Sequence, residues 1–443
     1  MDRLKVCLVG QIIIDVFAVK GIPVVRFGGA MHAARGLWAI RTPYSLAYIA
    51  PSYMDSDIRG YARRIKALDA VNVGTVVGCP NVLLVGDPLE TGDQNYEMLL
   101  EKHFRSKIDL NAIRKLCADA TDILILPGGF DLKSVLRALK KLPARMHIDS
   151  NLEPANAEIF SALGRNISTI MISTSSAPFL ERFKGSAARL CKELTKCAEQ
   201  ILLKENRGGS RFFQAPFHDN PVSTPSHPRK ISHSIGVGDC FDAIFIGLQR
   251  AYGVRAALAY ASLIAAEYAC ELDLEPFHQA VKSVLNIPKS EAVAFRGIEL
   301  PWEDRPACNV YVAAPDFAMI DKRHIDAVVQ SLKYHNFSPR RPVREHGEVA
   351  ENANVNVKTR TARADLSLLA RCQIVVAVLL FDDPGTLIEI GIALEKRIPV
   401  IVYDPRRIAS NLVLATLPDV VSSDLDEVIT EVFSFAAAAR HEK

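Results

Sequence analysis

Asp383 and Glu389 flank a sharp turn, in Asp383-Pro384-Gly385-Thr386-Leu387-Ile388-Glu389, that follows the apolar run Ile374-Val375-Val376-Ala377-Val378-Leu379-Leu380-Phe381. The run reads as a buried strand and Asp-Pro-Gly as its exit. Thr386 to Lys396 has helical spacing with Glu389 in its first turns, and Ile398-Pro399-Val400-Ile401-Val402-Tyr403 reads as the next buried strand. Together they make a βαβ unit that sets both acids at the carboxyl edge of a parallel sheet, where α/β folds bind ligands. Two carboxylates there, one able to attack and one able to hold a sugar, suit chemistry at an anomeric carbon. A loop aspartate with a solvated helical glutamate is the plainer reading of the same residues.

A second constellation is Ser234-Ile235-Gly236-Val237-Gly238-Asp239-Cys240-Phe241-Asp242-Ala243. Glycines opening an apolar helix let the backbone N–H groups of Gly236, Val237 and Gly238 approach a phosphate, and the helix N-terminus adds partial positive charge. Asp239 can then take the proton from an attacking sugar hydroxyl. Taken alone, a glycine turn with an ordinary helix cap is the plainer reading of the pattern. A third stretch, Ser338-Pro339-Arg340-Arg341-Pro342-Val343-Arg344-Glu345-His346-Gly347, reads as a basic loop. Arg344 there could take a 5′-phosphate through charge-assisted hydrogen bonds, or the loop is a solvated surface.

The elements that must position these residues alternate β and α. Val6-Cys7-Leu8-Val9-Gly10 is a buried strand, followed by a hairpin-like passage through Asp15 to Phe27-Gly28-Gly29-Ala30 and a helix from Met31 to Ile40. Asp122 to Leu126, Met146 to Asp149 and Gln200 to Lys204 each read as a strand running into a polar or glycine loop. The alternation predicts a doubly wound, largely parallel sheet. Phe217 to Pro228, rich in Pro and His, is predicted to be an exposed loop.

At 443 residues the chain is too long for one ordinary core, so two or three domains are expected. A composition of 49% apolar and 23% charged residues is ordinary for a globular protein, and a net charge of +3 makes no long-range electrostatic case for nucleic acid or a membrane surface. The nine cysteines lack Cys-x-x-Cys or His-Cys spacing, which predicts buried thiols in a reducing compartment and no metal site. The opening Met1-Asp2-Arg3-Leu4-Lys5 has no signal-peptide character and no apolar stretch is long enough to span a bilayer. A cytoplasmic protein is expected.

Residues 308–435 resemble the nucleoside 2-deoxyribosyltransferase family. The resemblance rests on Tyr311-Val312-Ala313-Ala314-Pro315-Asp316, on Asp-x-Gly-Thr-x-x-Glu-x-Gly-x-Ala from Asp383 to Ala393, and on Lys-x-Ile-Pro-Val-Ile from Lys396 to Ile401. It implies a flavodoxin/Rossmann-like parallel sheet in which Glu389 attacks C1′ of a nucleoside and expels the base, with no cofactor. Asp383 would bind the sugar hydroxyls, Tyr311 would sit beside the glutamate, and Asp316 would lie near the base. Asn411 would reach the sugar site of a neighbouring subunit, or it is a helix cap. Some relatives hydrolyse nucleoside 5′-monophosphates. The chain departs from the family in having Gln373 where an Asp is common.

Residues 3–298 resemble the ribokinase (PfkB-type) family, through Gly10 with Asp15, Gly28-Gly29 before a helix, and Gly236-Val237-Gly238-Asp239. The resemblance implies a ribokinase-like α/β sandwich with a small β lid, using ATP and Mg²⁺ if active. Asp239 would be the base, Gly236 to Gly238 the anion hole, and Asp15 and Gly29 the substrate holders. The family's Asn-x-x-Glu is missing near Ser173-Thr174-Ser175-Ser176, His233 stands where an acid is common, and Lys204-Glu205-Asn206-Arg207-Gly208-Gly209 replaces Thr-x-Gly. The domains expected are therefore 1–298 and 308–443, joined by a linker over 299–307. Two functions follow: glycosidic cleavage or exchange beside a sugar or nucleoside kinase, or a metabolite-sensing inactive kinase fold that gates a nucleotide-degrading glycosidase. A homo-oligomer is expected from both resemblances.

Overall fold

The computed structural model of the chain describes residues 4–151, 167–214, 217–350 and 352–441. The chain divides into two compact units, one of Met1–Leu89 with Gln94–Glu299 and the other of Glu90–Asp93 with Leu300–Lys443.

In the first unit the described residues form a ten-stranded sheet. Its spatial order is Phe217–Thr224, Ser210–Gln214, Ala198–Lys204, Ile167–Ser173, Arg145–Asp149, Asp122–Leu126, Val6–Gln11, Tyr44–Ile49, Asp69–Val77 and Arg105–Ile108. The seven strands from Ala198–Lys204 to Asp69–Val77 are mutually parallel, and the outer strands run antiparallel. Side chains alternate across a strand. Val6 and Leu8 pack with helices Ala30–Ala39, Val237–Tyr252 and Val254–Cys270, while Cys7 meets Cys117 on the other face. A sheet buried on both faces needs apolar strands, and the central strands Val6–Gln11 and Asp122–Leu126 are buried along their whole length. A separate four-stranded sheet, Ile22–Phe27, Ile14–Val19, Val82–Val85 and Tyr96–Met98, makes the small β layer. The passage from Phe217 is not a loop throughout: Phe217–Thr224 pairs antiparallel with Ser210–Gln214 as the edge strand, the place in a sheet where Pro221 is tolerated.

The second unit holds a five-stranded, wholly parallel sheet in the order Ser338–Arg340, Asn309–Ala313, Ile374–Val378, Val400–Tyr403 and Val420–Ser422. One face, with Tyr311, Val375, Ala377 and Val402, packs on Leu368, Ile390 and Ala393. Helices Arg323–Tyr334 and Leu425–His441 pack on one another, and the latter also packs on strands Ile374–Val378 and Val400–Tyr403. In chain order the strands lie 2-1-3-4-5, so the topological switch falls between Asn309–Ala313 and Ile374–Val378. Pro301 and Trp302 are buried and Arg305 begins a short 3₁₀ turn, so this stretch packs within the second unit. Among the described residues no helix is long and apolar enough to cross a membrane.

Candidate functional site

The switch point of the five-stranded sheet is where Glu389 lies. Strand Ile374–Val378 ends short of Asp383, which caps helix Pro384–Glu395 by accepting from Thr386 N and Thr386 Oγ1, both at 2.7 Å and both on Oδ2. That cap fixes the first turns of the helix and with them Glu389. Fully buried Tyr311, on the neighbouring strand, donates its hydroxyl to Glu389 Oε1 at 2.6 Å, a bond that spans the switch. Burial pushes the Glu389 carboxyl up to about 7; the Tyr311 bond opposes the rise, and the charges of Asp365 and Asp383 add to it. A carboxylate poised near neutrality at a sheet edge suits nucleophilic work.

Asp365 was not singled out by sequence. It lies on helix Val355–Leu369, acts electrostatically on Glu389, and pairs with His346 Nδ1 at 2.6 Å. No local spacing announces a pair whose members lie on separate helices.

The other residues read from sequence fall around this centre in different ways. Asp316 is buried in a fork from Arg341, with Lys322 Nζ at 3.0 Å. Burial would raise its pKa, but the Arg341 and Lys322 bonds outweigh that and hold it low. Asn411 caps the short helix Leu412–Thr416, accepting from Val413 N at 3.0 Å. Gln373, exposed, accepts from Asn309 N at 2.8 Å. The basic stretch is ordered into strand Ser338–Arg340 and helix Pro342–His346, because Arg340 pairs with Glu345 and Arg341 with Asp316 and Asp326. Arg344 lines a cavity of about 450 Å³ with Asp326, Val329, Gln330, Lys333 and Arg341; neither Glu389 nor Asp383 borders it.

In the first unit Gly236 has φ +68° and opens helix Val237–Tyr252, and a Cβ there would strike the His32 ring. Gly29, φ +58°, leads into helix Ala30–Ala39, and a Cβ on it would lie 2.3 Å from Gln11 O. Both positions therefore require glycine. Asp15 is buried, its Oδ2 2.9 Å from His32 Nε2 and 4.0 Å from Arg26 Nε. Burial lowers His32 to about 4, more than Asp15 raises it, so the ring is neutral at pH 7. Asp239 lies in the first turn after the glycines; burial, with the negative charge of Asp149, raises it to about 7 against the opposing pull of Lys204.

Residues 310–428 match the family model described as nucleoside 2-deoxyribosyltransferase. No curated protein matches the chain by sequence. Among solved structures, the probable sugar kinase protein from Rhizobium etli CFN 42 is 11% identical with a TM-score of 0.50, covering 64% of this chain and 99% of that one. Ribokinase from Giardia lamblia is 16% identical with a TM-score of 0.48, covering 64% and 99%. The tetrameric inhibited form of phosphofructokinase-2 from Escherichia coli is 12% identical with a TM-score of 0.47, covering 64% and 100%. The chain thus carries a domain of the nucleoside 2-deoxyribosyltransferase family over residues 310–428, preceded by a unit with the ribokinase-like fold.

Proposed function

We propose that the second unit cleaves or exchanges the N-glycosidic bond of a nucleoside or nucleoside 5′-monophosphate, with Glu389 as the nucleophile. The Tyr311–Glu389 bond at the switch point carries this reading. Glu389 attacks C1′, the C1′–N bond breaks, and its electron pair leaves with the base; a second base or water then releases the sugar. Asp365, paired with His346, adds negative charge beside the nucleophile. Asp383 uses Oδ2 for its cap, which leaves Oδ1 for a sugar hydroxyl.

Incubating the protein with mixed nucleosides and nucleotides and identifying the products by mass spectrometry tests the reading. Free base is the expected product, and its absence from every substrate would refute it. The pH dependence follows from the raised carboxyl. Glu389 attacks only when ionised, so base release should rise as pH passes through about 7. Tyr311→Phe removes the hydroxyl that favours the ionised form, so the midpoint should move upward. A pH–rate profile that stays in place in Tyr311→Phe would disprove that link.

Assembly is part of the proposal. Leu412 is 78% exposed, and Val413 and Leu417 beside it and Ile388 next to the nucleophile are also exposed. Apolar side chains grouped beside Asn411 suit cover by a second copy, whose sugar site Asn411 would then complete. Leu412→Glu should lower the mass measured by light scattering and lower base release together. A wild-type monomer with full activity would rule this out.

For the first unit the sensing reading is preferred: it binds a sugar, nucleoside or nucleotide and alters the rate at Glu389. The observation that favours it is the engagement of Asp15 by His32 inside the unit. Phosphorylation of any sugar or nucleoside acceptor would overturn it.

A further inference from the structure

We propose that Lys204 stands in for the divalent cation at the Gly236–Gly238 turn, so that the first unit binds nucleotide phosphate without metal and does not transfer it. Three elements of the unit meet there. Strand Ala198–Lys204 ends on Lys204, strand Arg145–Asp149 ends on Asp149, and helix Val237–Tyr252 supplies Asp242. Lys204 Nζ lies 2.8 Å from Asp149 Oδ2 and 2.6 Å from Asp242 Oδ2, and the three side chains are 10%, 5% and 0% exposed.

Divalent metal does not fit these residues. The two carboxyls that would hold it are spent on an ammonium, and among the described residues no group of three His, Cys, Asp or Glu is placed to hold a metal ion. The Ser173 and Ser175 hydroxyls bond each other, and the Asn206 side-chain oxygen accepts from Ser173, so this neighbouring strand end supplies no charge. Burial would raise Asp149 but Lys204 holds it low, while burial pushes Asp242 up against the pull of Lys204. A divalent ion would meet the buried Lys204 ammonium, a like charge, between those carboxyls.

Phosphate fits better. A Cβ on Gly238 would lie 3.3 Å from Lys204 Nζ, so the ammonium borders the glycine turn itself. Two of its three N–H groups go to the carboxyls, which leaves one for an anion. Asp242 Oδ1, fully buried, has no hydrogen-bond partner among the described residues.

The inference is independent of chemistry at Glu389 and is tested without it. ADP is titrated into the full chain by calorimetry, in Mg²⁺ and in EDTA. Its affinity should agree within about twofold in the two buffers, and Lys204→Met should weaken the EDTA binding at least about tenfold. Electron paramagnetic resonance should show Mn²⁺ bound to Lys204→Met at this cluster and not to wild type. Lys204→Arg, which keeps the charge, should retain metal-free binding and serves as the folded control. Should Lys204→Met fail to fold, Asp242→Asn leaves the lysine in place and should also bind ADP in EDTA. Binding of ADP only with Mg²⁺, no ADP binding at all, or ATP-dependent phosphorylation of any acceptor by wild type would each overturn the proposal.

Discussion

Glu389→Ala is expected to lower base release by on the order of 10⁴-fold or more, the scale seen when a nucleophile is removed from a working site. Glu389→Gln should do the same, because an amide cannot form the ribosyl ester. The glutamine variant should also be the more stable protein at alkaline pH. The folded carboxyl titrates at about 7, above its usual 4.5, so the fold favours the protonated form. Stability is then fully present below about pH 4.5 and is lost as pH rises through 7, by at most about 3 kcal/mol and less where solvent screens the half-buried group. The amide carries no such loss. Denaturant midpoints for wild type and Glu389→Gln should converge near pH 4.5 and separate by pH 8, with glutamine higher. A variant that is inactive yet more stable cannot be inactive through misfolding. Undiminished base release in pure Glu389→Ala sinks the nucleophile assignment, and equal midpoints at pH 8 sink the account of its pKa.

The apolar strand runs and turn signals were legible because each depends on local order. Ile374–Val378 and Val6–Gln11 are buried on both faces and read as unbroken apolar runs, and Asp383-Pro384-Gly385 marks its own helix start. The loss comes where long-range pairing decides. Phe217–Thr224 looks like a loop until Ser210–Gln214 supplies its partner. Arg340, Arg341 and Arg344 look like free charge, but Arg340 and Arg341 are committed to Glu345, Asp316 and Asp326. Asp365 gains its meaning from His346 and Glu389, and Lys204 from Asp149 and Asp242. Each of those contacts joins separate elements, and no periodicity within one element encodes it.

Arg305→Ala should destabilise the second unit by about 3 kcal/mol or more, the range for emptying a buried site that also satisfies backbone carbonyls. In sequence Arg305 is one of three charges between prolines, which suggests a solvated linker. In the structure it is completely buried. Its Nε and one terminal nitrogen donate to Leu300 O at 3.2 Å, and the other terminal nitrogen donates to His335 O at 3.3 Å. The guanidinium lies 5.2 Å from the Trp302 ring centroid and 4.8 Å from that of Phe433, on helix Leu425–His441. Alanine removes the donors and the stacking plane together. Arg305→Met restores volume without donors, and Arg305→Lys restores charge without the planar fork, so both should fall between alanine and wild type. The chain has two tryptophans, so in a Trp38→Phe background Trp302 fluorescence reports this unit's denaturant unfolding directly. A midpoint for Arg305→Ala indistinguishable from wild type would mean that the Leu300 and His335 carbonyls find other donors and that the stacking between Trp302 and Phe433 adds nothing to this unit's stability.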